Sequence, residues 1–150
     1  PIAIKSDKID ISSEKKTEEL AKQFSKKIKA GNVIFLNGEM GVGKTTFVRY
    51  LINFFQKEND LQLTEVTSPT FNLLNEYQIK KIKINHYDLF RLKSSDEIKN
   101  LDLFEDQKDT ITLIEWPELI KKKPENLIEL IFKYEDDHQK RSVQIRNLNL

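Results

Sequence analysis

Apolar residues along this chain alternate between two patterns, one with helical spacing and one in short continuous or alternating runs. Leu20, Ala21, Phe24 and Ile28 fall on one helical face. Ser12 and Ser13 stand ahead of them as caps, and Ala30-Gly31 can end the helix through a left-handed turn. Val33-Ile34-Phe35-Leu36 is unbroken, as expected of a strand covered on both faces. A second helix follows a loop at 37–43, because Phe47, Tyr50, Leu51, Phe54 and Phe55 match the i, i+3, i+4, i+7, i+8 template, and Asn59-Asp60 stops it. The middle of the chain predicts strands at 61–66, 71–79 and 82–88, the last two joined at Lys80-Lys81. Two-residue alternation puts Ile82, Ile84, His86 and Asp88 on one face. Ser94-Ser95-Asp96-Glu97 starts a helix with acids in its first turn, and Ile98, Leu101 and Phe104 give it an apolar side. The run 111–114 is another buried strand, leading into Glu115-Trp116-Pro117. Strands at 127–134 and 142–147 flank a polar turn at Asp136-Asp137. This succession predicts an α/β layer fold with a mixed sheet.

Composition narrows the possibilities. A chain of 150 residues with no linker, repeat or low-complexity tract predicts one domain spanning 1–150. Lysine and arginine number 25 against 24 acids, a formal charge of +1, so no global field favours nucleic acid or a membrane surface. The absence of cysteine excludes a disulfide scaffold, a thiol nucleophile and a thiolate zinc site. His86 and His138, the two histidines, are too far apart in sequence to suggest a shared metal. No apolar run approaches the roughly 20 residues of a membrane span, and the first residues lack a signal-peptide core. The expectation is a cytoplasmic protein with no membrane partner. The start at Pro1 points to a removed initiator methionine or a trimmed terminus.

The chemistry begins at Gly38-Glu39-Met40-Gly41-Val42-Gly43-Lys44-Thr45, which fits G-x-x-x-x-G-K-[ST] at every fixed position. Its glycines let successive backbone N–H groups turn toward phosphate oxygens. Lys44 adds a mobile positive charge for the β- and γ-phosphates. The Thr45 hydroxyl can complete a Mg²⁺ shell, and the helix that opens there, with Thr46 in its first turn, aims its positive end at the same anion. The loop follows a buried strand and opens a strongly periodic helix, which is the context the motif requires. The fold class is therefore read as α/β, P-loop NTPase-like and three-layered, with a mixed, mainly parallel central sheet plus antiparallel strands. The base is read as adenine. N-K-x-D does not occur, and D-x-x-G is impossible because the four glycines, Gly31, Gly38, Gly41 and Gly43, all precede position 44.

Such a site needs a carboxylate at a neighbouring strand end. Glu115 ends the run 111–114 and Asp88 ends the strand 82–88; the residues alone do not rank them for the metal. Thr67-Ser68-Pro69-Thr70 places three hydroxyls between two β segments, as in loops that close over a γ-phosphate, or as in a polar turn fixed by Pro69. Arg91 is assigned to phosphate or, by default, to surface pairing with the 96–109 acids. His86 is read as a satisfied core histidine. Trp116 either stacks on a base or partner or caps the core edge. The clusters Lys80/Lys81/Lys83 and Lys121-Lys122-Lys123 are read as solvated turns. None of the four arginines, Arg49, Arg91, Arg141 and Arg146, falls in an evident lid.

Four landmarks occur in order: GEMGVGKTT at 38–46, TSPTFNLLNEY at 67–77, NHYDLFRL at 85–92 and LIEWPE at 113–118. Together they resemble the TsaE (YjeE) family, small bacterial P-loop ATPases of tRNA threonylcarbamoyladenosine synthesis, over the stretch from the first helix to about position 118. The resemblance implies Mg-ATP binding, slow intrinsic hydrolysis and action with a TsaB–TsaD pair. That pair transfers a threonylcarbamoyl group to the adenosine beside the anticodon, so tRNA is met indirectly through the complex. By the same resemblance, Thr45 and Glu115 are Mg²⁺ ligands and Lys44 binds phosphate. Asp88 is the water-orienting or catalytic acid, Thr67–Thr70 form the first switch, and Trp116 positions the site or a partner. Adenine contacts map to the region of Ser13 and Thr17. Phe90 departs from the family's frequent tyrosine, at the expense of one hydroxyl. Two other classes stay open, a small-molecule kinase and a nucleotide-sensing binding module.

Overall fold

The computed structural model describes residues 8–105 and 107–150; the expectation at Pro1 lies outside them. Seven strands form one sheet: β1 (Ile9–Asp10), β2 (Val33–Asn37), β3 (Leu74–Ile79), β4 (Ile82–Asp88), β5 (Thr110–Glu115), β6 (Leu127–Tyr134) and β7 (Arg141–Arg146). Their order across the sheet is β1-β7-β6-β2-β5-β4-β3. The middle, β6-β2-β5-β4, is parallel, and antiparallel partners complete both edges. This agrees with the expected mixed α/β architecture.

Alternation along β2 divides the core in two. Ile34 and Leu36 face α1 (Glu14–Ser25) and α2 (Lys44–Glu58), where Phe24, Phe47, Val48, Leu51 and Ile52 are buried. The rings of Phe24, Phe47 and Phe132 meet edge-on at centroid distances of 5.5 and 5.8 Å, tying both helices to β6. Val33 and Phe35 face the thinner layer, with Tyr87, Leu89, Leu103, Ile114 and Ile120. That layer holds α3 (Ser95–Lys99), whose start is closed by a reciprocal Ser94–Glu97 capping box.

Several boundaries differ from the sequence expectation, each for a local reason. Helix α1 stops at Ser25, well before Ala30-Gly31. The Gly31 N–H donates to the Thr110 carbonyl at 2.8 Å, so this glycine serves entry into the sheet and not exit from the helix. Residues 61–66 are not a strand. Side chains of α2 take over the backbone groups there: the Thr64 N–H donates to Gln56 Oε1 at 3.2 Å and Asn53 Nδ2 donates to the Thr64 carbonyl at 3.2 Å. The strand expected at 71–79 begins only at Leu74, because Leu73 adopts φ +68° and its N–H donates back to the Pro69 carbonyl at 2.7 Å. The helix after Ser94 ends at Lys99, so Leu101 and Phe104 pack from the turns beyond it.

Candidate functional site

The loop between β2 and α2 owes its course to three glycines with positive φ, Gly38, Gly41 and Gly43. Gly38 (φ +153°) passes so close to β6 that a Cβ on it would lie 2.9 Å from the Phe132 carbonyl oxygen. Gly43 (φ +117°) is the N-cap of α2 and offers no side-chain cap, leaving the first helical N–H groups free for an outside acceptor. Beside the loop lies a cleft of about 370 Å³, lined by Met40, Gly41, Gly43, Lys44, Thr45, Thr46, Ser68, Thr70, Asp88, Phe90, Glu115, Trp116 and Arg141.

Parallel pairing sets the acids. Strands β4 and β5 run in register so that Asp88 stands opposite Glu115 at the same strand ends, both buried on the α2 face. The Thr45 hydroxyl lies 3.3 and 3.2 Å from the two Glu115 carboxylate oxygens. A hydroxyl and a carboxylate so placed are the hard-oxygen set that suits Mg²⁺, which takes one or two protein oxygens and completes its shell with water and phosphate. Among the described residues no group of three His, Cys, Asp or Glu side chains could hold an ion by itself.

Lys44 is buried, and its ammonium donates to the Gly38 carbonyl and lies 3.6 Å over the Trp116 ring. Burial pushes its pKa down from the ordinary lysine range, opposed by Glu115, Glu118 and Asp88. Trp116 is half-buried and lines the cleft. It holds the lysine from a left-handed backbone position (φ +58°), with the Phe90 ring 4.8 Å away. A non-glycine residue in that region marks stored strain at the cleft edge.

Asp88 is latched to the loop 67–70. Its Oδ2 accepts from the Ser68 hydroxyl at 2.8 Å and the Thr70 hydroxyl at 3.1 Å, while Oδ1 accepts from the Phe90 N–H at 3.0 Å. Ser68 and Thr70 line the cleft. Thr67 and Pro69 do not: their carbonyls accept from Asn75 and Leu73 and shape the turn.

Some expected site residues lie elsewhere. Ser13 caps α1, accepting from the Lys16 N–H at 3.2 Å, and Thr17 is buried with its hydroxyl directed to the Ser13 carbonyl at 3.4 Å; neither lines the cleft. Within the motif, Gly38, Glu39 and Val42 build the loop without lining it, and Val42 is a core residue. Arg91 does not line the cleft, and among the described residues it pairs with none of the 96–109 acids. It donates to the Phe71 carbonyl at 3.1 Å, bracing the segment after the hydroxyl loop.

The sequence puts His86 in the core without its link to the site, and gives Arg141 no place at the cleft. His86 is fully buried, its Nε2 is 2.6 Å from Glu115 Oε2, and its Nδ1 has no partner among the described residues. It is thus only half satisfied and orients the carboxylate that faces Thr45. Alternation with Asp88 was the available signal. Arg141 lines the cleft from β7, reached through strand pairing that sequence spacing does not reveal.

The match to known proteins extends over this whole framework. The family model for the threonylcarbamoyl adenosine biosynthesis protein TsaE matches residues 11–143, past position 118 and into β7. The tRNA threonylcarbamoyladenosine biosynthesis protein TsaE of Rickettsia bellii is 46% identical over 138 residues, covering 91% of this chain and 92% of that protein. The protein of the same name from Rickettsia conorii is 44% identical over 111 residues, 74% of this chain, and the match spans 61% of that longer relative. The crystal structure of YdiB from Bacillus subtilis superposes with a TM-score of 0.65 at 25% identity, over 93% of this chain and 83% of that one.

Proposed function

This chain belongs to the TsaE family of threonylcarbamoyl adenosine biosynthesis proteins, and from that premise we propose that it is a slow, partner-dependent Mg-ATPase supporting threonylcarbamoyl transfer to tRNA. The transfer itself, to the adenosine beside the anticodon, falls to a TsaB–TsaD pair. The observation that carries the reading is the convergence of Lys44 and Thr45 at a helix start with Glu115 and Asp88 at adjacent parallel strand ends, around one cleft.

The loop amides and the uncapped start of α2 bind the triphosphate. Lys44 exchanges the Gly38 carbonyl and the Trp116 ring for phosphate oxygens, a change that restores full charge compensation to a buried ammonium. Thr45 and Glu115 would hold Mg²⁺, which would supply charge neutralisation to the bound phosphates. Asp88 orients the attacking water in line with the γ-phosphate. The same carboxylate holds Ser68 and Thr70, so occupancy of the γ-position and the shape of the hydroxyl loop are coupled. On this flank no arginine is at hand among the described residues: Arg49 pairs with Glu14 at 2.6 Å and Arg91 is on the Phe71 carbonyl. Arginine fingers are worth about 10³–10⁵ in rate, so intrinsic turnover is slow and a partner is expected to raise it.

The direct test is the ATPase rate with and without a purified TsaB–TsaD pair and tRNA. A rate increase is expected; an unchanged rate overturns the partner assignment. The Asp88 latch gives a second reading, a nucleotide-sensing module in which hydrolysis is incidental. Asp88→Asn keeps acceptor capacity toward the loop while removing the charge. A sensing module would retain support of tRNA modification with hydrolysis abolished and ATP affinity intact, whereas the ATPase reading requires that support to be lost.

A further inference from the structure

The cleft contains a positive side chain that the scheme above does not use. Arg141 opens β7 and reaches the loop from the flank opposite Glu115 and Asp88, since β6 and β7 lie on one side of β2 and β5 and β4 on the other. The β6–β7 hairpin packs against the loop glycine by glycine. Measured from where a Cβ would stand, Phe132 lies 2.9 Å from Gly38, the Tyr134 hydroxyl 3.4 Å from Gly41, and Arg141 Nη1 3.4 Å from Gly43.

Backbone contacts fix the position of this arginine. Its N–H donates to the Ser12 hydroxyl at 3.0 Å and its carbonyl accepts from the Ile11 N–H at 3.0 Å, while Nη2 donates to the Ser12 carbonyl at 3.4 Å. The nearby carboxylates are engaged elsewhere, Glu135 with Lys8 at 3.0 Å and Ser142 at 2.7 Å, Asp10 with Lys16 at 2.6 Å. Among the described residues no carboxylate pairs with the half-buried guanidinium, which leaves its Nη1 end facing the phosphate loop. A guanidinium so held suits an oxyanion with two or more acceptor oxygens.

The direction of the nucleotide follows from the other flank. Thr45, Glu115 and Asp88 mark the γ-end, so the nucleoside end leaves the loop toward β6 and β7. We propose that Arg141 binds the nucleoside-side phosphates, the part common to ADP and ATP, and so holds product as firmly as substrate. This deepens the ATP-site reading and rests on it.

Calorimetry of wild type, Arg141→Ala and Arg141→Lys with Mg-ADP and with Mg-ATP tests the assignment. Arg141→Ala should weaken both nucleotides by the same factor, roughly 10- to 100-fold for lost charge-assisted bonds. Arg141→Lys should recover part of that loss. The three proteins should melt alike without nucleotide, because the contacts to Ile11 and to the Ser12 hydroxyl use the backbone of residue 141. Unchanged affinities overturn the proposal, as does a loss confined to ATP, which would put the arginine at the γ-end. A loss with a lowered nucleotide-free melting temperature and no recovery by lysine also overturns it, by making the role structural. If wild type binds neither nucleotide, the reading of the cleft itself fails, a result separable from any variant effect.

Discussion

The two flanks of the loop between β2 and α2 are built on different principles. The β5/β4 flank carries two polar clusters around buried acids, Thr45 and His86 on Glu115 and Ser68 and Thr70 on Asp88, with hydrogen bonds of 2.6 to 3.3 Å. The β6/β7 flank is a wall, where the chain of β6 fills the space that the loop glycine Gly38 leaves empty. One side is arranged for charge that arrives with a ligand. The other sets the shape of the loop before any ligand arrives. Substitutions on the first should therefore act on binding, metal dependence and the hold on loop 67–70, and those on the second, Arg141 apart, on the stability of the nucleotide-free protein.

The largest separation is expected from Lys44→Ala. Loss of charge-assisted bonds to phosphate, worth about 1.5–3 kcal/mol each, should weaken Mg-ATP by roughly 100-fold in calorimetry. The nucleotide-free protein should lose little stability, since burial already disfavours the charged amine. Next, Gly38→Ala should break the wall. A positive φ and a 2.9 Å approach to the Phe132 carbonyl together should cost about 3 kcal/mol, a fall in Tm of about 10 °C by differential scanning calorimetry. A wild-type melting curve there would dissolve the contrast between the flanks. His86→Leu frees the Glu115 carboxylate from its orienting ring, and should raise the Mg²⁺ concentration for half-maximal ATPase about 10-fold with ATP affinity in the absence of metal unchanged. The smallest effect is Ser68→Ala, which removes one of two hydroxyls from Asp88. About 1 kcal/mol of stability should be lost, and hydrogen exchange of loop 67–70 should become faster in the nucleotide-free state.

Much of this arrangement was legible before any coordinates. Fixed spacing announced the loop, its lysine and its threonine. The apolar run before Glu115 and the alternation before Asp88 located both acids at strand ends, where β4 and β5 in fact terminate. Other expectations failed where tertiary contacts overrode local preference. Residues 61–66 have strand composition but find their hydrogen bonds on Gln56 and Asn53 of α2. Arg91, read as a phosphate or surface-pairing residue, is drawn to the Phe71 carbonyl. His86 was assigned to the core and does lie there, yet its one partner is the carboxylate of the candidate metal site.

What the chain determined by itself was most of what depends on neighbours within a few residues: the main helical and strand periods, the N-terminal caps at Ser13 and Ser94, and the motif whose amides, lysine and threonine lie within one turn of each other. What only the tertiary structure decided was which strand ends meet. Glu115 and Asp88 become opposite each other through the parallel register of β4 and β5, and Arg141 reaches the loop through the β6–β7 hairpin. The physical reason is that sheet order is set by burying both faces of the sheet at once under α1, α2 and the thinner layer. That is a requirement on the whole core, and no single segment expresses it.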